Sequence, residues 1–313
     1  MQILAVVVLY KQAPQQTQTV RSLIQVFEND PELNDPVHVL LWDNSPTPAT
    51  NVSLPFRFEL MHAGGNLGTS GAYNHAMDVA ESLGCPWLLL LDQDTVVSEN
   101  FLRGMVGYSE KLLPAQEIAT VVPFIFSHGK LVSPRRLRSF NRVQQIPITF
   151  SGLCKDKAYA VNSATLMRVA ALREAGGYSE EFWLDLSDVY VFQALHRKGR
   201  FMYVADDLRV EHSVASMDFD KEMSPERYRN FLAAESAYVD LFLSAPERSF
   251  QLVRLFLRTV IQYLRYKNKT FSKIVWEYFL QRLFRTRAVR LRNWRDQLRK
   301  RDIPAIANGQ IVG

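Results

Sequence analysis

The sequence has few cysteines and no long apolar segment, and both absences narrow the classes of protein it can encode. Its 313 residues include only Cys85 and Cys154, with no CxxC motif and no Cys/His cluster. Two isolated cysteines build neither a disulfide framework nor a zinc site, so a reducing compartment is expected. No basic residue precedes the first apolar run, Ile3–Leu9, and no run approaches the roughly 18 apolar residues of a membrane span. We therefore expect a cytoplasmic protein with neither a signal peptide nor a transmembrane helix.

Acidic residues become scarce near the C-terminus, and this divides the chain into two parts. Residues 248–301 contain 16 Lys and Arg but only two acids, Glu277 and Asp296, which gives a net charge of +14. The whole chain carries +5 at neutral pH, so the other 259 residues sum to −9. We expect a catalytic domain over residues 1–245 and a basic amphipathic helical tail over residues 246–313.

The tail mixes apolar and cationic residues at helical spacing. Six apolar residues are compatible with one helical face: Leu252, Leu255, Phe256, Val260, Tyr263 and Leu264. Helices rich in aromatic residues and arginine suit an anionic membrane surface, which predicts peripheral association with the inner face of the cell membrane. Packing against the catalytic domain and a homodimer interface are the alternatives. No recognition motif for nucleic acid accompanies the charge, so a nucleic-acid partner is not expected.

Strand and helix patterns alternate in the first third of the chain. Four runs predict strands, namely Ile3–Leu9, Val37–Trp42, Phe56–Met61 and Trp87–Leu91. Helices are predicted over Gln15–Phe27 and within residues 63–82. This alternation predicts an α/β fold with a Rossmann-like, mostly parallel central sheet flanked by helices. In such a sheet the ligand lies beyond the carboxyl ends of the strands, where Tyr10, Asp43 and Asp92 fall.

The segment Asp92-Gln93-Asp94 directly follows the fourth predicted strand. Two carboxylates one residue apart on a turn can hold a hard divalent cation, and such an ion offsets the charge of a leaving nucleotide diphosphate. A polar turn that caps the next helix would use the same residue types. The buried strand before the segment, and the other polar strand ends, favour the cation site. Asp43 is a weaker candidate for contacts with a nucleotide base or ribose, because Asp-Asn-Ser is usually only a turn.

A glycine-rich segment runs from loop into helix over residues 63–82. It contains Gly64, Gly65, Gly68 and Gly71, with Asn66 and Asn74 among them. Glycines let the backbone approach a phosphate or a sugar, and the start of the following helix favours anions. The spacing does not give G-x-G-x-x-G and follows the third predicted strand instead of the first, so an NAD-dependent oxidoreductase is not expected.

The second half of the chain contributes three further candidates. Asp185 and Asp188 follow two aromatic residues, and an acid in such surroundings is a suitable general base for an acceptor hydroxyl. We assign the chemistry to Asp188 and a supporting role to Asp185, although either could cap the helix predicted at Val189–His196. His212 could complete a metal site, while a lone histidine is more often structural. The same half predicts strands over Val121–Phe126 and Phe201–Val204, a helix ending at Gly176 and a loop over the basic run Ser133–Arg142.

With these segments in order, the chain resembles the inverting glycosyltransferases of family 2, which have the GT-A fold, and is most similar to the bacterial rhamnosyltransferases of polysaccharide assembly. The resemblance covers roughly residues 1–240. It rests on VVVLYK (6–11), WDNSP (42–46), GGNLGTSGAYNHAM (64–77), LLLLDQDT (88–95), the segment from Val161 to Val189, KGRFMYVADD (198–207) and EHS (211–213).

The resemblance implies the roles of individual residues. The implied donor site consists of Leu9, Tyr10, Asp43, Asn66, Gly68, Gly71, Asn74, Asp92 and Gln93. Asp94 and His212 would hold Mg²⁺ or Mn²⁺, and Asp188 would be the general base. The implied acceptor contacts are Asn162, Trp183 and Asp185. The donor would be dTDP-L-rhamnose, with UDP-sugars such as UDP-galactofuranose as the alternative. The acceptor would be a saccharide, which we expect to be lipid-linked. The reaction would belong to the assembly of bacterial surface polysaccharides such as O-antigen.

The sequence departs from the family pattern at two places. The family commonly has an acid two residues after the general base and an Arg six residues after it, where this chain has Tyr190 and Ala194. A glycine is common shortly after the family's histidine, where this chain reads SVASM. These departures bear on specificity more than on activity. A nucleotidyltransferase would need a basic, glycine-rich loop after the first strand, which LYKQAPQQT lacks, and a membrane-attached scaffold for glycan assembly is the non-enzymatic alternative.

Overall fold

A computed structural model describes residues 2–212 and 223–300, which form two compact units. The first unit contains residues 2–138 and 143–212. The second contains residues 139–142 and 223–300. All the residues that the sequence assigns to the donor, the metal and the general base lie in the first unit.

Four parallel strands form one half of the central sheet of the first unit. They are β1 (Ile3–Leu9), β2 (Val37–Asp43), β3 (Phe58–His62) and β4 (Trp87–Asp92), and they lie side by side in the order β3-β2-β1-β4. Every residue of β1 and β2 is buried, as the continuous apolar runs predicted. Their carboxyl ends place Leu9, Asp43 and Asp92 at one edge of the sheet.

Three helices connect these strands and lead on from the last of them. They are α1 (Gln18–Asn29), α2 (Gly68–Ser82) and α3 (Glu99–Lys111). The first begins three residues later than the predicted Gln15, because Pro14–Gln16 forms a short 3₁₀ turn and the Thr17 side chain accepts the Val20 N–H as the helix cap.

Eight further strands follow. They are β5 (Ile118–Ser127), β6 (Lys130–Ser133), β7 (Arg135–Arg138), β8 (Arg142–Gln145), β9 (Gly152–Cys154), β10 (Ala158–Tyr159), β11 (Thr165–Arg168) and β12 (Phe201–Glu211). The central sheet continues from β4 in the order β11-β5-β12-β9, and β6 pairs with the last residues of β5, beyond the part of β5 that pairs with β11. Strands β10, β7 and β8 form a separate three-stranded sheet. Between β11 and β12 lie α4 (Val169–Glu174) and α5 (Ser187–Arg197).

The predicted α/β fold with a central sheet flanked by helices is confirmed. In this half the sheet becomes mixed, because β11 runs antiparallel to both of its neighbours, and β6 and β9 run antiparallel to β5 and β12. Two predictions about this half need correction. The basic run Ser133–Arg142 was predicted as a loop, but β7 lies within it and pairs with β10, a partner that local patterns do not reveal. The strand predicted to end at Val204 continues to Glu211 across an irregularity in its pairing with β5.

The second unit is helical. It comprises α6 (Pro225–Phe242), α7 (Ala245–Arg265), α8 (Thr270–Phe284) and α9 (Arg287–Arg299). Its core contains Tyr228, Leu232, Leu255, Phe271, Ile274 and Val275. The sequence analysis placed the domain boundary at residue 245, which lies between α6 and α7. In the structure α6 packs on α8 and α9 and therefore belongs to the second unit, although the basic composition begins only after α6. None of the helices in residues 2–212 and 223–300 has the length and hydropathy needed to cross a membrane.

Candidate active site

The Asp92-Gln93-Asp94 turn is fixed from three sides. The Asp92 N–H donates to Ser163 Oγ at 2.9 Å, and the Tyr73 hydroxyl donates to Asp92 Oδ1 at 3.1 Å. Gln93 Oε1 accepts the Tyr10 N–H at 2.8 Å, which ties the turn to the end of β1. The turn is therefore held by three different segments, as expected of a preorganised binding site.

Asp92, Asp94 and His212 converge at this turn. Each offers an oxygen or a nitrogen atom, and the three atoms lie within 4.8 Å of one another. His212 Nε2 is 3.7 Å from Asp92 Oδ2, and His212 Nδ1 is 3.6 Å from Asp94 Oδ1. His212 is 7% exposed and directly follows β12, which brings it beside the end of β4 from far away in the sequence. Two carboxylates and an imidazole suit a divalent cation such as Mg²⁺ or Mn²⁺, so the residues present fit the predicted ion.

Asp188 lies in the first turn of α5 with its side chain half-buried. Burial above all, together with the neighbouring charge of Asp185, raises the pKa of this carboxyl to about 6. The Val189 N–H, which donates to Asp188 Oδ1 at 2.7 Å, and the positive charge of Arg135 act in the opposite direction. A carboxylate with a pKa near 6 accepts a proton more readily than an ordinary aspartate and is still ionised at neutral pH.

Two buried tyrosines are influenced by the charges of both Asp188 and Asp92. The rings of Tyr73 and Tyr178 have their centroids 5.1 Å apart. Burial raises the pKa of both hydroxyls, and the negative charges of Asp92 and Asp188 contribute to both shifts. Asp92 and Asp188 therefore both lie near enough to this pair of tyrosines to act on it electrostatically.

Two residues beside these groups have a left-handed backbone conformation. Leu186 immediately precedes α5 with φ of 61°, and Ala164 follows Ser163 with φ of 64°. Left-handed backbone is uncommon for residues with a side chain and clusters at functional sites. Both residues lie within two positions of a side chain described above.

The start of α2 packs directly against Trp183. Gly68 has φ of +72°, and a Cβ atom at this position would lie 2.2 Å from the Trp183 carbonyl oxygen. The Ser70 N–H donates to that same carbonyl at 3.0 Å. Gly71 is similarly close to Leu67, at 2.6 Å from a built Cβ to Leu67 Cβ. These two glycines therefore have packing reasons in the structure, and their donor contacts stay predictions.

The predicted asparagines are engaged in hydrogen bonds within the protein. Asn74 pairs its amide with the backbone of Tyr178, at 2.9 Å and 2.8 Å. Asn162 is buried, donates to Ser187 Oγ at 2.9 Å and accepts from the Tyr178 hydroxyl at 3.0 Å. Asn66 Oδ1 accepts the Gly68 N–H at 2.9 Å. Their placement supports the shape of the site, and no contact with donor or acceptor follows from it.

The residues predicted to contact the nucleotide base lie at the ends of β1 and β2. Asp43 is buried, and its two carboxylate oxygens accept the N–H groups of Ser45 and Ala49, both at 2.9 Å. Leu9 is buried and its carbonyl accepts the Asn44 N–H, whereas Tyr10 is exposed. Asp43 thus shapes the turn after β2, and its predicted contact with the base remains a prediction.

Several site residues escaped the sequence analysis. Tyr73, Thr95, Ser163 and Tyr178 each bond to a predicted residue or lie beside it. All four fall inside the segments that carry the resemblance, and the adjacency of Tyr73 to Asn74 and of Thr95 to Asp94 was an available signal. The proximity of Ser163 to Asp92 depends on β11 pairing with β4, which no local pattern predicts.

An open cavity of about 590 Å³ lies beside Gln93 and Asp94. Its other lining residues are Gln12, Gln16, Gln18, Arg21, Ser22, Gln25 and Val96. This lining is rich in amides, which both donate and accept hydrogen bonds, and a polar ligand therefore has access to the turn from this side.

Comparison with known proteins agrees with this geometry. The model of the family described as Glycosyl transferase family 2 matches residues 5–176, which is more than half of the chain. No curated protein matches the sequence. Two solved structures share the fold at low sequence identity. Staphylococcus aureus TarS 1-349 in complex with UDP-GlcNAc is 15% identical, with a TM-score of 0.51, over 90% of this chain and 81% of that one.

The second structure is GalNAc-T7 with UDP, GalNAc and Mn²⁺, at 13% identity and a TM-score of 0.54. The alignment covers 90% of this chain and 56% of that one, and at this identity the likeness concerns the fold alone. Together with the match over residues 5–176 and the sheet described above, it leads to one assignment. The chain belongs to glycosyl transferase family 2 and has the GT-A fold of a nucleotide-sugar-dependent glycosyltransferase.

Proposed function

We propose that the protein transfers a sugar from a nucleotide donor to a saccharide acceptor with inversion at the anomeric carbon. Asp188 accepts the proton of the acceptor hydroxyl, and that oxygen attacks the anomeric carbon as the nucleoside diphosphate departs. Asp92, Asp94 and His212 would hold a divalent cation, Mg²⁺ or Mn²⁺, which would neutralise the charge of the diphosphate. The observation that supports the proposal is that this cluster of metal-ligand residues and a carboxyl group with a pKa raised to about 6 both lie near the same pair of buried tyrosines.

The role of Asp188 has a direct test. Asp188→Asn removes the basic oxygen while keeping size and hydrogen bonding, so transfer is expected to fall by about 10² to 10⁴ while donor binding is kept. Calorimetric titration with the nucleotide measures donor binding separately from turnover. Turnover near the wild-type rate in this variant would overturn the assignment.

For the donor we propose dTDP-L-rhamnose, on the resemblance carried by LLLLDQDT and GGNLGTSGAYNHAM. The alternative is a UDP-sugar, which the UDP-GlcNAc and UDP bound to the two solved neighbours favour. Thermal shift with dTDP, dTDP-L-rhamnose, UDP and UDP-sugars, each with and without Mn²⁺, separates the two. Selective stabilisation by the dTDP compounds supports rhamnosyl transfer, whereas selective stabilisation by UDP compounds moves the donor to a UDP-sugar.

The proposed acceptor is a lipid-linked saccharide of surface-polysaccharide assembly, contacted through Asn162, Trp183 and Asp185. Such an acceptor places the enzyme at the cytoplasmic face of the membrane, and the basic helical extension is the part proposed to hold it there. Transfer to a lipid-linked oligosaccharide in detergent, compared with the same oligosaccharide released from its lipid, tests this. Equal turnover on both would remove the lipid from the proposal.

A further inference from the structure

Helix α7 carries an apolar face that no described residue covers. Six residues spaced three and four apart are between 41 and 75% exposed: Val253, Phe256, Leu257, Val260, Ile261 and Leu264. This set is named the α7 face. On the opposite side of the helix, Gln251, Leu255 and Gln262 are buried in the second unit. The face differs from the sequence prediction, which had included Leu255, because that residue points into the core.

The α7 face continues onto the neighbouring helix. The Phe256 ring lies 6.1 Å from that of Phe279 on α8, which in turn stacks on Trp276 at 4.8 Å. The Trp276 side chain is also exposed. Contiguous exposed apolar surface of this kind marks a site of interaction with a protein or a membrane.

The charge around the face distinguishes these two occupants. Residues 223–300 contain 17 Lys and Arg against 6 Asp and Glu, a net charge of +11. Arg265, Lys267 and Lys273, at the end of α7 and the start of α8, are exposed. A second copy would bring an equal positive charge against this one, whereas an anionic bilayer covers the apolar residues and attracts the cations.

We propose that the α7 face docks on an anionic lipid bilayer. The six side chains enter the boundary between headgroups and acyl chains, with Trp276 at its edge, and Arg265, Lys267 and Lys273 contact lipid phosphates. The proposal rests on the proposed function only for its purpose, which is access to a membrane-bound acceptor. Its test contains no transfer step, and nucleotide-induced thermal shift, measured alongside, reports on the proposed function separately.

The test is flotation of the full chain with vesicles of phosphatidylcholine alone or mixed with phosphatidylglycerol. Leu257→Gln with Ile261→Gln removes two exposed apolar residues of the face without changing charge. Val143→Gln with Ile148→Gln, which are also exposed but lie in the first unit, is the matched control. We expect the wild type and the control to float with the mixed vesicles, and the α7 variant to partition about tenfold less.

Three results would overturn the proposal. They are equal flotation of the α7 variant and the control, equal flotation of the wild type with both lipid compositions, and absence of flotation. Sedimentation equilibrium of the same proteins tests whether the face binds a second copy of the chain instead. A wild type that is dimeric and an α7 variant that is monomeric would assign the face to a dimer interface. A wild type that is monomeric and floats with the mixed vesicles supports the bilayer.

A separate observation concerns two buried hydroxyls behind the metal-ligand cluster. Ser163 and Thr95 are fully buried, and their hydroxyl oxygens are 2.5 Å apart. Ser163 Oγ accepts the Asp92 N–H at 2.9 Å, and Thr95 Oγ1 lies 3.3 Å from His212 Nδ1. A continuous path of hydrogen bonds therefore runs from the backbone of one metal-binding carboxylate to the ring of the histidine.

A histidine that binds a cation presents one unprotonated nitrogen, and the hydrogen bond at the other nitrogen selects which one. The atom nearest to Nδ1 is the Thr95 hydroxyl oxygen at 3.3 Å, with Asp94 Oδ1 at 3.6 Å, while Nε2 lies 3.7 Å from Asp92 Oδ2. We infer that Thr95 is a positioning residue for the cation. Its hydroxyl accepts the Nδ1–H of His212 and so leaves Nε2 to the ion, while Ser163 fixes both Thr95 and Asp92.

Binding of Mn²⁺ alone, followed by electron paramagnetic resonance, tests this inference. Thr95→Val keeps the size of the side chain and removes the hydroxyl, and we expect it to weaken Mn²⁺ binding about 10- to 100-fold. Thr95→Ser keeps the hydroxyl and is expected to remain within about threefold of the wild type. Equal affinities in all three proteins, or equal losses in both variants, would overturn the role.

Nitrogen-15 NMR of His212 with Mg²⁺ bound gives a readout that a purely structural effect of Thr95 would not move. The expected spectrum has the proton on Nδ1 in the wild type and in Thr95→Ser, and a mixture of tautomers in Thr95→Val. A wild-type ring protonated on Nε2 would contradict the inference whatever the affinities are.

Discussion

The pKa of Asp188 can be moved in opposite directions by two neighbours of opposite charge. Burial above all, together with the charge of Asp185, raises it to about 6, and the charge of Arg135 acts in the opposite direction. Asp185→Asn removes a negative neighbour, so the carboxylate becomes easier to form and the pKa falls. Arg135→Gln removes a positive neighbour, so the carboxylate becomes harder to form and the pKa rises.

The size of each shift follows from Coulomb's law. Unit charges about 8 Å apart interact by roughly 0.5 to 2 kcal/mol between the dielectric constants of water and of a protein surface. Since about 1.4 kcal/mol corresponds to one pKa unit, each variant is expected to move the pKa of Asp188 by about 0.4 to 1.5 units. The two substitutions together should largely cancel, provided that their effects add.

Carbon-13 NMR of the aspartate carboxyl groups measures this titration without an acceptor. The Asp188 resonance is identified by its loss in Asp188→Asn, and its midpoint is followed in the wild type, in each single variant and in the double variant. We expect the pKa of Asp188 to be lower in Asp185→Asn than in the wild type, and higher in Arg135→Gln than in the wild type. Shifts in the same direction, or no shift in either, would refute the placement of these two charges around the base.

Two further predictions concern stability. Gly68→Ala is expected to destabilise the first unit by about 2 to 4 kcal/mol, because the backbone there has a positive φ and the added methyl group meets the Trp183 carbonyl. Gly107→Ala in α3 is the control, because nothing lies within 4 Å of the new Cβ, and it is expected to stabilise the unit by about 0.5 to 1 kcal/mol. Thermal unfolding of both variants checks this, and equal effects would contradict it. Asp240→Ala is expected to cost the second unit about 3 to 5 kcal/mol, because Asp240 is fully buried and pairs with Arg282 and Arg290 at 3.0 and 2.8 Å. A loss below about 1 kcal/mol in denaturant unfolding would contradict that account.

The first half of the fold was predictable because its signals are local. Strands β1, β2 and β4 are continuous apolar runs, and each begins at the predicted residue. Their polar ends, which follow from parallel topology alone, brought Tyr10, Asp43 and Asp92 to one edge. Asp94 and His212, which the sequence assigned to one metal site, lie close together and beside Asp92, because β12 runs on to Glu211 and places the histidine there, which the shorter predicted strand did not indicate. Their binding of a metal stays a prediction.

The second half depended on pairings between distant segments. Ser163 contacts the Asp92–Asp94 turn because β11 lies between β4 and β5. A strand of only four residues gives little local signal from which this pairing could be predicted. The basic run around Arg135 suggested a solvated loop, since charge says nothing about a partner strand. β7 forms there because β8 and β10 flank it, and this places the charge of Arg135 near the base.

The glycine-rich segment shows how one residue pattern can serve two purposes. Gly68 and Asn74 were assigned to the donor on the family resemblance, and the structure engages them with Trp183 and Tyr178. A glycine required by close packing and one required by a ligand look alike in a single sequence. The same holds for the tail, whose apolar residues were recognised but whose exposed face only the packing of α6–α9 defines.

We propose that the donor site of this nucleotide-sugar-dependent glycosyltransferase depends on a divalent cation at Asp92, Asp94 and His212. Calorimetric titration with UDP and dTDP, in Mn²⁺ and in EDTA, on the wild type and on Asp94→Ala, tests it most directly. The account predicts that at least one nucleotide binds in Mn²⁺, and that EDTA or the substitution weakens this binding at least about tenfold. Binding of neither nucleotide, or an affinity that neither EDTA nor Asp94→Ala lowers from its value for the wild type in Mn²⁺, would contradict it.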